Sequence, residues 1–131
     1  MADVPQAQRL SQLTGLMLRS VQSDMAELSQ READLRRNLA QLVQTKRARA
    51  AAQSSIVDVA ILAGADVRWL HWVDQRRATI NTELAQVLAQ QEACRAKLKN
   101  VFGRDQAVHE IVKRMQSDSR ILHQRRAYYV S

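Results

Sequence analysis

The residues whose types could do chemistry in this chain are few, and their spacing argues against most of what they could do. His109-Glu110 has no second histidine at the spacing a helical zinc-protease motif requires. His71, His109 and His123 are scattered along the chain and, together with the single Cys94, do not give metal-ligand spacing. Gly15, Gly64 and Gly103 stand far apart, so no glycine-rich loop is available to cradle a phosphate. The expectation is therefore no catalytic residue, no cofactor and no metal. The histidines read as surface residues of helices, and Cys94 as a small hydrophobe in a seam.

Charge and aromatic residues offer binding chemistry instead. The chain carries 20 Lys and Arg against 13 Asp and Glu, a net charge of +7, which suits an acidic partner. Lys46, Arg47 and Arg49 would meet Arg76 and Arg77 if the chain folds back between them, making a basic band. Arg95, Lys97, Lys99 and Arg104 form a second group, and Arg120, Arg125 and Arg126 a third. These groups either form a solvated face that keeps the protein soluble or contact acidic protein surfaces. Acidic residues are interleaved among them, and no contiguous basic arm precedes the heptads, so specific nucleic-acid binding is not expected.

Trp69 and Trp72, the two tryptophans, lie three residues apart beside Arg68, Arg76 and Arg77. They either pack against the apolar stretch Ile56 to Leu62 or form an exposed aromatic pair suited to an interaction hot spot. Tyr128 and Tyr129 follow Arg125-Arg126 at the C-terminus, where they either anchor in a partner's cavity or fray.

The elements that must position these groups are helices. Three glycines and one proline leave few places to turn, and the apolar content is mostly Ala and Leu, with aromatics only 4%. Pro5 sits where proline is tolerated, in the first turn of a helix. Leu10, Leu13, Met17, Val21, Met25, Leu28, Leu35, Leu39 and Leu42 then recur in steps that are mostly three and four. The fours from Leu13 to Met25 read as a stutter, a local unwinding of the supercoil. Glu32 and Lys46 take seam positions. In the second half Val73, Ile80, Val87, Cys94, Val101, Val108, Met115 and Leu122 share one heptad position. The partner position alternates apolar and polar through Leu70, Arg77, Leu84, Gln91, Leu98, Asp105, Val112 and Ser119, a pattern that fixes register.

The predicted fold is all-α, a long antiparallel two-helix coiled-coil hairpin forming a single domain over residues 1–131. Helix 1 runs over about 5–52, and a connecting turn with a short helix covers 53–65. Helix 2 covers about 66–128 and spans roughly 95 Å. Ser54 and Ser55 would cap the short helix, Gly64 would end it, and Asp66 would be the N-cap of helix 2. Gly103 would mark a bend. Folding back near residue 60 puts Leu10 near Glu110 and Lys46 near Asp74, and leaves Gln116 to Ser131 as a single-helix overhang. A lone cysteine rules out an internal disulfide framework, the N-terminus lacks a signal-peptide pattern, and Ile56 to Ala65 is too short to span a bilayer. The expected location is cytoplasmic, peripheral at the inner face of the membrane at most.

The stretch GADVRWLHWVDQRRATINTELAQVLAQQEACRAKLKNVFGRDQAVHEIVKR resembles the FliJ family, the coiled-coil stalk proteins of flagellar type III export, related to the YscO-like proteins of injectisomes. The family has an aromatic, two residues, a second aromatic and an aliphatic, where this chain has Trp69, Trp72 and Val73. Ile80, Arg95, Leu98 and Lys113-Arg114 fit the heptad helix and basic segment that follow. The first half shares size and coiled-coil character. The resemblance implies an antiparallel hairpin that docks, by the end carrying both termini, into a hexameric export ATPase. It also implies contact with the membrane export gate and with export chaperones. Other readings of the residues remain: a scaffold coiled coil, self-associating through its seam, or a weak binder of nucleic acid or anionic membrane.

Overall fold

Two segments rich in Ala, Leu, Gln and Arg become two helices, because little in either interrupts hydrogen bonding from one turn to the next. The computed structural model describes the backbone of residues 3–53 and 59–130, and the side chains of residues 3–52 and 64–130. Helix α1 covers Asp3–Gln53 and helix α2 covers Val59–Val130, with 51 and 72 residues. Pro5 is accommodated because the first turn has amide groups without intrahelical acceptors, so its missing N–H forfeits no bond. Asp3 in that turn complements the positive end of the helix dipole.

The helices pack against each other as an antiparallel hairpin, divided into two units. Unit 1 comprises Met1–Met25 with Ala93–Ser131, and unit 2 comprises Ala26–Glu92. In unit 1, Ser11 meets His109, Thr14 meets Asp105 and Val21 meets Cys94. In unit 2, Leu28 and Glu32 meet Gln91, and Arg49 meets Asp66. In each, ascending positions on α1 meet descending positions on α2, as the predicted fold-back requires.

The core of unit 2 is Leu35, Ile80, Leu84 and Val87, flanked by Leu28, Leu39 and Leu42. Ile80 and Val87 are its most enclosed side chains, Val87 being 1% exposed. Val21, Val101 and Val108 are the buried hydrophobics of unit 1. The α2 heptad position from Val73 to Val108 is thus inside, with Cys94 half-buried among the valines.

The structure differs from the predicted register at several places. On α1 the covered row in unit 1 is Val4, Ala7, Ser11, Thr14, Leu18 and Val21, an unbroken heptad row. Leu10, Leu13 and Met17 lie outside it, and the stutter does not occur. The reason is that α2 keeps its heptads through Val101, Asp105 and Val108. A phase shift on α1 alone would turn its seam away from that unbroken partner. Lys46 is exposed, and so are Leu70 and Arg77 on α2. A lysine or arginine at a seam edge carries its charged head out to water.

Helix α2 is continuous from Val59, so Asp66 lies within it and is not its N-cap, and Gly64 ends no helix. One interior glycine disfavours a helix by only ~1 kcal/mol, which the helical flanks at Ala63 and Ala65 tolerate. Gly103 likewise sits within α2. The capping roles of Ser54 and Ser55 fall outside the described residues. At the other end α2 stays partly covered to Ser119, so the exposed run begins at Arg120 rather than at Gln116. No helix is long and apolar enough to cross a membrane among the described residues.

Candidate partner-binding surfaces

Four surfaces stand out, one in unit 2 and three in unit 1. In unit 2, Arg49 turns inward from the last turns of α1. Its guanidinium lies 4.3 Å from the centroid of the Trp69 ring and 3.5 Å from Asp66. A planar cation can stack on an indole face and pair with a carboxylate at once, and this clamps Trp69 in a half-buried position. Trp72, one turn on, is 53% exposed. With Trp69, Thr45, Leu42 and Arg76 it lines a concavity of about 350 Å³. The sequence left open whether the tryptophans pack or project. The structure divides them: Trp69 is held by Arg49, and Trp72 projects.

The expected basic band is correspondingly loosened. Arg49 is engaged with Trp69 and Asp66, and Arg76 edges the tryptophan concavity. Arg47 lies instead along a different groove on α1, beside Arg36, Leu39 and Val43. Lys46 and Arg77 are exposed. Facing helices bring the residues to the same level, but a helix advances about 100° per residue, so neighbours in sequence point to different sides.

The second surface is the C-terminal stretch of α2 in unit 1. Every residue from Arg120 to Val130 is exposed, including Arg125, Arg126, Tyr128 and Tyr129. The two tyrosine rings meet edge to face, with centroids 5.8 Å apart and planes at 80°. Arg125 and both tyrosines line one shallow concavity with Ile121 and Gln124. Arg120 Nε lies 3.5 Å from the Gln116 carbonyl oxygen. Leu122, expected in the seam, is exposed here.

The third surface was missed in the sequence. Leu10, Leu13, Leu16 and Met17 are 48%, 55%, 58% and 42% exposed. Leu10, Leu13 and Met17 line a groove of about 340 Å³ with Val101, Arg104 and Val108 of α2. Scattered exposed leucines are ordinary, but three leucines and a methionine exposed within eight residues, three of them lining one groove, make an apolar surface of the kind that marks interfaces. The fourth lies on the other side of the unit, where Phe102, 51% exposed, borders a groove with Leu18, Leu98, Arg95 and Lys99.

Beneath the third surface lies a polar layer that holds unit 1 in register. Thr14 Oγ1 is 2.8 Å from Asp105 Oδ1 and 3.0 Å from the Ser11 carbonyl, with both side chains buried. The hydroxyl has one proton, and the carboxylate, as a charged acceptor, takes it in preference to the carbonyl. His109 Nδ1 donates to the Asp105 carbonyl at 2.7 Å and lies 3.3 Å from Oδ1, and its Nε2 approaches Ser11 Oγ at 3.5 Å. Unit 2 has a counterpart, in which Gln91 Nε2 donates to Glu32 Oε2 at 3.1 Å. His109, exposed on the helix surface as expected, also joins this network, whereas among the described residues His71 hydrogen-bonds to Gln75 on its own helix. Among the described residues no group of three or more His, Cys, Asp or Glu could hold a metal ion.

Neither protein-family models nor curated proteins nor solved structures match this chain.

Proposed function

We propose that this chain is a non-enzymatic coiled-coil stalk of a type III protein export apparatus, flagellar or injectisome, working at the inner face of the membrane. Its partners are the hexameric export ATPase, the membrane export gate and export chaperones. The observation that carries the reading is the end of α2, where a helix runs on past its cover and presents Arg120, Arg125, Arg126, Tyr128 and Tyr129 to solvent. A helix supported by a partner helix on one side of Ser119 and bare beyond it suits insertion into a ring. The resemblance around Trp69, Trp72 and Val73 points to the same class of protein. The chain acts by contact, with the ATPase supplying the chemistry.

Truncation after Ser119 tests this. The rest of α2 keeps its seam, so the variant stays helical by circular dichroism, while stimulation of a cognate export ATPase falls to background. Charge reversal, Arg125→Glu with Arg126→Glu, reduces stimulation with less loss of helix, because the charges chiefly set encounter rate and orientation. Full stimulation by both variants would sink insertion through this end. A second reading, a scaffold coiled coil with no ATPase connection, is favoured by the uncovered Leu10, Leu13 and Leu16, which call only for an apolar partner.

A further inference from the structure

Unit 1 combines two properties that the chain's overall composition conceals. It holds eleven Lys and Arg against five Asp and Glu, a net +6, while unit 2 holds nine against eight, a net +1. Nearly all the excess positive charge therefore lies in unit 1, shared among the groove of Leu10, Leu13 and Met17, the Phe102 groove and the C-terminal stretch of α2. Arg104 lines that groove and makes no ion pair among the described residues. At helical spacing from it, Ala107, Ile111 and Arg114 continue the same face of α2, and Ile111 is 48% exposed. On α1, Arg9 lies one turn before Leu13. Asp3 and Asp24 fall one heptad beyond Leu10 and Met17, and so bound the stretch holding the apolar stripe at about six turns.

We infer that this groove is a docking site for an acidic amphipathic helix of a partner protein, which lies along the helical pair of unit 1 as a third helix. The groove runs between two helices, and its anchors on α1 stand at i, i+3 and i+7, the spacing with which a helix meets another helix. The partner helix places apolar residues on Leu10, Leu13 and Met17, and carboxylates on its flanks toward Arg104, Arg114 and Arg9. A second copy of the chain is a poor occupant, since two units of net +6 would be brought face to face. The site rests on the uncovered leucines and the charge of unit 1, independently of the export reading, so either can fail alone.

The test uses the full chain and a synthetic amphipathic peptide of about five helical turns, with Leu on one face and Glu on its flanks. A twin peptide carries Lys in place of every Glu. Fluorescence anisotropy should show micromolar binding of the Glu peptide, weakening as salt rises, and little binding of the Lys twin. Amide chemical-shift changes should centre on residues 10–17 and 101–111. Leu13→Glu with Met17→Glu alters only exposed side chains, so helicity persists while affinity drops by at least about tenfold, or 1.4 kcal/mol. Arg104→Glu should weaken the Glu peptide and strengthen the Lys twin. Equal binding of the two peptides, or binding untouched by the leucine and methionine changes, overturns the proposal. So does sedimentation showing a dimer of the unaltered chain that Leu13→Glu with Met17→Glu converts to a monomer, because the occupant is then a second copy.

Discussion

Thr14 is, with Ser11, a polar residue in a mostly apolar row of seam positions, and its partner is Asp105. A buried carboxylate needs donors, and the Thr14 hydroxyl at 2.8 Å supplies one, while the His109 Nδ1 proton goes to the Asp105 carbonyl oxygen. Replacing Thr14 by Val keeps the shape and removes that donor. The expected loss is about 1–3 kcal/mol. Replacing both members, Thr14→Val with Asp105→Leu, should recover that loss, since a buried polar pair often stabilises no more than apolar residues of similar size. Urea unfolding midpoints of the single and double variants measure both effects. A double variant as unstable as the single one would mean that the layer supports the fold by more than satisfying its own polar atoms.

At the scale of the element, both helices are longer and less interrupted than their glycines suggest. Gly103 occupies an exposed position in α2, and a Cβ there would meet nothing within 4 Å. No turn or close approach requires glycine, so Gly103→Ala should raise stability by about 0.5–1 kcal/mol through the lower entropy of the unfolded chain. A thermal melt followed at 222 nm would show the rise, and a fall would reveal a demand for flexibility at that point. Element boundaries were legible where punctuation was strong: Pro5 marks the first turn of α1. They were misread where it was weak. Gly64 and Asp66 looked like a stop and a start, yet α2 runs through both, and Asp66 serves as an ion-pair partner for Arg49.

For the whole molecule the net charge of +7 raises the question of nucleic acid. The interleaved acids and the paired Arg49 argue for a diffuse attraction that reads no sequence. Duplex DNA should bind no tighter than about 10⁻⁶ M at physiological salt, with an affinity that falls steeply on a log–log salt plot and no preference among sequences. An anisotropy titration over a salt series decides it, and nanomolar or sequence-selective binding would reassign the basic residues to nucleic-acid recognition.

The heptad run from Val73 to Val108 determined by itself that this half would be helical and paired, because apolar residues at that period are buried along a helix–helix seam, and the fold-back near residue 60 made the antiparallel pairing the expected one. It also determined that polar seam positions would exist. What it left undecided was phase at the edges and partners across the seam. Leu10, Leu13 and Met17 have the periodicity of a seam, and no local property separates them from Ser11, Thr14 and Leu18 one position along. Only packing against α2 chose between the two rows, since the row that opposes an unbroken partner seam gives Asp105 its hydroxyl. Trp69 and Trp72 were likewise equivalent until the opposite helix brought Arg49 over one of them. The same choices exposed the leucines of unit 1 and set Arg104 beside them, for burial belongs to surfaces, and surfaces exist only once the two helices have met.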